Sequence, residues 1–226
     1  MAGTSPGAST TASAASLGGT AGRGVFLTLE GGEGAGKSTQ IAALARILEA
    51  EGRRVVTCRE PGGTALGERL REALFATSDE EPAPAPEAEL LIFNAARAQL
   101  VREVIRPALA DGAVVICDRF TGSTVAYQHH GRGLPRAAVD AANQVATGGL
   151  QPDLVVLLDL EPERGFARTG KGRDYLERAG LDFHRAVRRG FLEQAAADPE
   201  GWLVLDATKP EMQVTHAIHQ RLATML

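Results

Sequence analysis

The chain is short of cysteine, of surplus positive charge and of long apolar runs, and each shortage removes a class of protein. Cys58 and Cys117 are its only cysteines, and both close apolar, strand-like runs. They read as small buried hydrophobes in a reducing compartment, not as a disulfide or a metal site. The five histidines are scattered, with only His129 and His130 adjacent, which gives no zinc spacing, so any metal is expected to be Mg2+ on oxygen ligands. A formal net charge of −4 supplies no global positive field, which disfavours a nucleic-acid partner. No run approaches the roughly 20 apolar residues of a membrane span. The first residues have neither the basic and apolar regions of a secretory signal nor the arginines of a transit peptide. The expectation is a cytoplasmic protein with no membrane partner.

With 226 residues and 44% apolar composition, there is room for one α/β core. Residues 1–23 are mostly Ala, Gly, Ser and Thr, too poor in apolar side chains to fold, and are expected to form a disordered tail before one domain at 24–226.

The strongest local signal is Gly31-Gly32-Glu33-Gly34-Ala35-Gly36-Lys37-Ser38, followed by Thr39, which fits the phosphate-cradling spacing G-x-x-x-x-G-K-[ST]. The apolar run Val25–Leu29 before it reads as a buried strand, and Ile41, Leu44, Ala45 and Leu48 after it recur at helical spacing. A polyphosphate needs several donors converging with no side chain in the way. Glycines permit that approach, successive backbone N–H groups form an anion nest, and the positive end of the Lys37 helix closes it. Lys37 adds a point charge for the outer phosphates and the Ser38 hydroxyl suits Mg2+. A nucleoside triphosphate is the expected ligand.

Further strands are expected at Arg54–Cys58, Ala113–Cys117, Leu154–Leu158 and Trp202–Leu205. Helices are expected over Leu66–Leu74, Glu87–Leu109, Pro135–Thr147, from Pro162, over Asp174–Ala197 and over Glu211–Leu226. This alternation predicts a parallel sheet covered on both faces, with ligands at the strands' carboxyl ends. Two strands end in an aspartate there, Asp118 and Asp159, and both are candidates to hold Mg2+.

With these segments in place, the chain resembles the bacterial thymidylate kinases, P-loop enzymes that phosphorylate deoxythymidine monophosphate (dTMP). The resemblance runs from about Val25 to the end. It rests on an ordered series: Glu30 to Thr39, Arg59-Glu60-Pro61-Gly62-Gly63-Thr64, Phe93 to Gln99, Asp118-Arg119-Phe120 with Ser123-Thr124 and Ala126-Tyr127-Gln128, and Pro152-Asp153 with Leu158-Asp159. It implies a five-stranded parallel sheet with helices on both faces, a mobile lid at about 165–177, a homodimer packed through helices, and ATP and dTMP as substrates.

By the same resemblance Phe93 stacks on the thymine, Arg97 donates to a base carbonyl, and Thr124 and Gln128 read the remaining base edge. Pro61 shapes the space for the methyl group, Tyr127 lies against the sugar, and Arg71 and Arg119 hold the acceptor phosphate. Glu60 belongs to the acceptor site, and Glu33 addresses metal or an acceptor hydroxyl from inside the loop. No residue of the loop interior is an arginine, so the cation that meets the transferring phosphoryl must come from the lid, where Arg173 and Arg168 are the candidates. The chain departs from the family's Asp-Arg-x-Glu in reading Asp174-Tyr175-Leu176-Glu177, which leaves the choice between those two arginines open. A monophosphate kinase for another base, or a P-loop regulatory ATPase that switches partner binding, are the alternative functions.

Overall fold

The structure is a computed structural model that describes residues 23–75, 83–169 and 175–226. Its sheet has five strands, β1 (Val25–Glu30), β2 (Val55–Arg59), β3 (Val114–Asp118), β4 (Leu154–Asp159) and β5 (Trp202–Asp206), in the order β2-β3-β1-β4-β5. All neighbouring pairs are parallel. Side chains alternate across the sheet. Leu27, Leu29, Ile116, Val156 and Leu158 face helices α1 (Lys37–Ala50) and α9 (Glu211–Ala223) on one side, while Phe26, Val115 and Cys117 pack with Leu100, Ile105 and Phe120 on the other. Burial on both faces explains the apolar runs of the three inner strands, which only Thr28 of β1 interrupts. Edge strands β2 and β5 are only partly buried.

The carboxyl ends step across the sheet: Asp118 ends β3 opposite Leu29 and Arg59, whereas Glu30, the last residue of β1, stands opposite Leu157, so that β4 and β5 run further, to the paired Asp159 and Asp206. Every strand runs one residue past its apolar stretch, to Glu30, Arg59, Asp118, Asp159 and Asp206. At the opposite end, Asp153 ties down the beginning of β1. Its Oδ2 accepts from the Phe26 N–H at 2.8 Å, and its Oδ1 pairs with Arg23 at 2.7 Å.

The helices comprise α2 (Ala65–Phe75), α3 (Pro86–Leu100), α4 (Arg106–Ala110), α5 (Thr121–Thr124), α6 (Arg136–Thr147), α7 (Pro162–Thr169) and α8 (Leu181–Ala197). Two expectations need correction. The single helix expected over Glu87–Leu109 is interrupted by π turns at Val101–Ile105; Pro107 has no N–H and crowds the preceding turn, which a wider winding accommodates. The helix expected from Asp174 begins at Leu181. Gly180, at φ 88°, breaks it from a 3-10 turn at Glu177–Ala179, and Asp174 lies outside the described residues. No helix among the described residues is long and apolar enough to cross a membrane.

Candidate active site

The phosphate side of the site grows from the ends of β1 and β3. The glycine loop leaves β1 and enters α1 through Gly36 at φ 91°. Lys37, the first helical residue, is buried, and its Nζ donates to the carbonyls of Gly31 and Gly32, both at 3.0 Å. Burial and the nearby Arg119 guanidinium lower its pKa, so the ammonium is held in a setting that favours an incoming anion. At the loop's tip Gly34 has φ 67°, and a Cβ there would stand 2.4 Å from the carbonyl oxygen of Gly165. Gly165 faces the same restriction, since its own Cβ would stand 2.2 Å from the Glu33 carbonyl oxygen. The loop and α7 therefore touch backbone to backbone.

The two candidate acids separate cleanly. Asp118 Oδ2 accepts from Ser38 Oγ at 3.3 Å, bringing together two hard oxygen donors beside the phosphate nest. Both oxygens of Asp159 are instead held by Arg188, whose Nε and Nη2 donate to them at 2.7 and 2.9 Å. Asp118 thus faces the loop's serine, and Asp159 faces α8.

Arg119 is the only non-glycine residue with positive φ among those described, at 70°. This left-handed turn swings its side chain from the end of β3 back towards the loop. There it donates to the Gly31 carbonyl and to Ser123 Oγ, each at 3.1 Å, and pairs with Glu33 at 2.5 Å. Its guanidinium lies over the Tyr127 ring, whose hydroxyl is 3.4 Å from Glu33. Burial alone would raise the Glu33 pKa, but Arg119 and Lys37 together hold it below the usual value. Of the three oxygen donors expected at a cation, Ser38 and Asp118 are brought together, and Glu33 turns to Arg119.

Glu30, which the loop motif includes without a role, is fully buried behind this arginine. It accepts from the N–H groups of Phe120 and Ser123 at 2.9 and 3.2 Å, and from Ser123 Oγ at 2.5 Å. Burial pushes its pKa up to about 7 against the lowering effect of the Ser123 bond and of Arg119. Its folded pKa exceeds the unfolded one, so the native state binds the extra proton between about pH 4.5 and 7. The stability this contributes is present at low pH and is lost as pH rises through that window. Denaturant titrations should show the wild type falling relative to Glu30→Gln between these limits, by up to about 3 kcal/mol. Parallel curves would mean that Glu30 titrates normally.

The acceptor side is organised by Arg97, which is 2% exposed and pairs with Glu60 at 2.6 Å. All five of its N–H donors are engaged. Nε and Nη2 reach Glu60, Nη2 also reaches the Phe120 carbonyl at 3.0 Å, and Nη1 reaches Thr124 Oγ1 and Asn143 Oδ1, both at 2.7 Å. Glu60 Oε1 is buried with no partner, and burial raises the Glu60 pKa against the pull of Arg97. Arg71 donates to the Pro61 carbonyl at 3.1 Å and lies over the Phe75 ring; Phe75 meets Phe93 edge-on. Tyr127 and Gln128 sit in π turns at Val125–Gly131 and are both buried. Gln128 donates to Glu89 at 2.7 Å, which Arg132 also holds.

One cavity of about 520 Å3 joins these groups, running from Lys37 and Ser38 past Arg119 to Phe93, Thr124 and Gln128. Arg168 lies over the loop's tip, donating to the carbonyls of Gly34 at 3.1 Å and Ala207 at 3.0 Å. Arg173 lies outside the described residues. The residue reading missed Asn143, Glu89 and Glu30. Glu30 closes an apolar strand, and that change was its available signal; Asn143 and Glu89 stand on mixed helix faces and carry none.

A phosphate nest at the end of β1, an acid at the end of β3 facing the loop's serine, and an adjoining cleft lined by aromatic and arginine side chains define a P-loop kinase of small molecules. The family model described as thymidylate kinase matches residues 29–218, and the chain belongs to that family. It is 53% identical over 205 residues to a thymidylate kinase of Pseudomonas fluorescens, covering 90% of this chain and 97% of that one. A thymidylate kinase of Deinococcus radiodurans is 52% identical over 191 residues, 84% of this chain and 91% of that one. One from a Synechococcus species is 54% identical over 194 residues, with 86% and 93% covered.

Proposed function

We propose that this protein transfers the γ-phosphoryl group of ATP to dTMP, giving dTDP on the route to dTTP for DNA synthesis. The single cavity shared by the Lys37–Ser38 loop and the Phe93–Arg97–Gln128 cleft carries the reading, because in-line transfer needs donor and acceptor phosphates in one dry space. An oxygen of the acceptor phosphate bonds to the γ-phosphorus as the bond from that phosphorus to the bridging oxygen breaks, and ADP leaves. Lys37 exchanges its two carbonyl partners for the outer phosphates, with the backbone donors of Gly31 to Thr39 around them.

Arg119 holds the acceptor phosphate with Arg71, and Glu33 keeps Arg119 aimed at the loop. Mg2+ suits Ser38 and Asp118, since this ion keeps most of its waters and takes only one or two protein oxygens; when bound it neutralises charge on the β- and γ-phosphates. Arg168, already over the loop's tip, supplies charge from the base of the lid, and Arg173 is its second candidate. Phe93 stacks on the base and Pro61 walls the methyl group. Thr124 and Gln128 bind the base edge, Arg97 reaches a base carbonyl by exchanging one of its present acceptors, and Tyr127 crowds the 2′ position of the sugar.

A coupled ADP-release assay against a panel of nucleoside monophosphates tests the reading. dTMP should be turned over fastest. A faster purine or other pyrimidine monophosphate would make this a kinase for another base, and slow hydrolysis indifferent to any acceptor would make it a regulatory ATPase.

A cytoplasmic homodimer accompanies this activity. α2 packs on α3 and α3 on α6, and this layer exposes Leu66, Leu91 and Val145, the last 85% exposed. Such side chains on adjoining helices fit burial against a second copy. Val145→Glu should shift the species seen by analytical ultracentrifugation from dimer to monomer. An unchanged dimer would put the contact elsewhere.

A further inference from the structure

Glu89, on α3, is fully buried, and no step of the phosphoryl transfer calls for it. A carboxylate in that position must be satisfied or it destabilises the fold. Its partners come from the π turns at Val125–Gly131 and the residue that follows them. Oε1 accepts from Gln128 Nε2 at 2.7 Å and from Arg132 Nε at 3.3 Å, and Oε2 accepts from Arg132 Nη2 at 3.0 Å. Arg132 is itself set in place, with its guanidinium over the Phe183 and Tyr175 rings. The Glu89–Arg132 pair therefore presents to Gln128 a fixed oxygen that can only accept.

That oxygen decides which way round the Gln128 amide sits. An amide has a donor end and an acceptor end of nearly equal shape, and only the nitrogen can bond a carboxylate oxygen. Oε1 must then point away from Glu89. Among the described residues the bond to Glu89 is the only one the Gln128 amide makes. Nor is Oε1 shut off from solvent, unlike Thr28 Oγ1 and Glu60 Oε1, which are buried with no partner. Gln128 lines the cavity of about 520 Å3 together with Phe93, Arg97 and Thr124. An entering base thus meets a lone pair at position 128 and N–H donors at position 97.

We propose that Glu89 is a positioning residue for base selection: by holding the Gln128 amide nitrogen it keeps the amide oxygen turned to the base, so that the cleft takes thymine or uracil and rejects cytosine. The inference rests on the function proposed above. The edge of thymine carries a carbonyl beside an N3–H, an acceptor for Arg97 and a donor for Gln128 Oε1. Cytosine reverses the two places, with an amino group beside an N3 lone pair. Its lone pair would face that of Oε1 and its amino group the arginine donors, so neither hydrogen bond is made. Without the carboxylate the Gln128 amide is free to turn over and meet either edge.

Glu89→Gln tests the proposal, since the new amide offers Gln128 either a donor or an acceptor at unchanged size. The readout is the calorimetric Kd of the intact protein for dTMP, dUMP and dCMP. The wild type should favour dTMP over dCMP, and Glu89→Gln should reduce that ratio about ten-fold, the worth of one misplaced hydrogen bond. The ratio of dTMP to dUMP should stay where it was, because those two bases share an edge. In a Gln128→Met background the same change at position 89 should leave the dTMP-to-dCMP ratio unmoved. A second measurement needs no change at position 89. The side-chain NH2 signals of Gln128, identified in a proton–nitrogen spectrum by their loss in Gln128→Met, should include a proton that exchanges slowly with solvent both before and after dTMP binds. A ratio unchanged in Glu89→Gln, an equal weakening of all three nucleotides, or fast exchange in the dTMP complex would overturn the role of Glu89, while a wild-type preference for dTMP would leave the proposed function standing. A wild type with no such preference would overturn both.

Discussion

Lys37→Ala lowers kcat by about 10²–10³-fold or more, because a preorganised cation facing developing charge in a water-poor cleft is worth that much. The wild-type lysine is buried at 8% exposure, and its hydrogen-bond partners among the described residues are two backbone carbonyls. Both carbonyls belong to the loop itself, so removing the ammonium costs the fold about 1 kcal/mol at most. Chemistry and stability should therefore separate: turnover collapses, while the melting curve stays within a few degrees of the wild type. KM values for the two substrates should change far less than kcat, since the lost interaction strengthens in the transition state. Steady-state rates on protein whose melting curve has been verified provide the check, and near-normal turnover would sink the assignment of the loop.

Arg97→Met produces the opposite profile, a large loss of stability with a change in selectivity. It leaves the Glu60 carboxylate buried and uncompensated, and it deprives Thr124, Asn143 and the Phe120 carbonyl of their donor. Removing one partner of a buried pair costs about 3–5 kcal/mol, which in a chain of this size lowers Tm by roughly 10 °C. The acceptor KM should rise and the preference for thymine should blur, while the KM for ATP stays near its starting value. Adding Glu60→Met should recover much of the Tm, because the stranded charge goes with it, but not the base preference. If Tm and preference both survive the single change, Arg97 is a bystander.

These two residues also mark what could be read from sequence. The phosphate loop was legible because its chemistry is local. Spacing, glycines and flanking periodicity all lie within about two turns of Lys37, and the structure brings its members together as expected. The strands were legible in their apolar interiors and misjudged at their ends, because hydrophobicity ends one residue before the ladder does. The residues past that limit, Glu30, Asp118 and Asp159 among them, are those that carry charge into the site or hold it. Asp159 is taken up by Arg188, a partner 29 positions away. Arg97 and Thr124 were found through family resemblance, whereas Asn143, 46 positions from Arg97, had no motif around it. Contacts of that separation are fixed by tertiary packing, which no local pattern encodes.

The contact between the loop tip and α7 has a consequence for how this chain can change over generations. Positions 34 and 165 meet with no room for a methyl group on either side. A substitution at one is not relieved by any substitution at the other, because the obstacle in each case is a backbone carbonyl. Ordinary compensating pairs, one residue growing as its neighbour shrinks, are closed to them. Any sequence that keeps this contact must keep both positions free of a side chain, so the seat of α7 on the phosphate loop stays fixed whatever else in the chain varies.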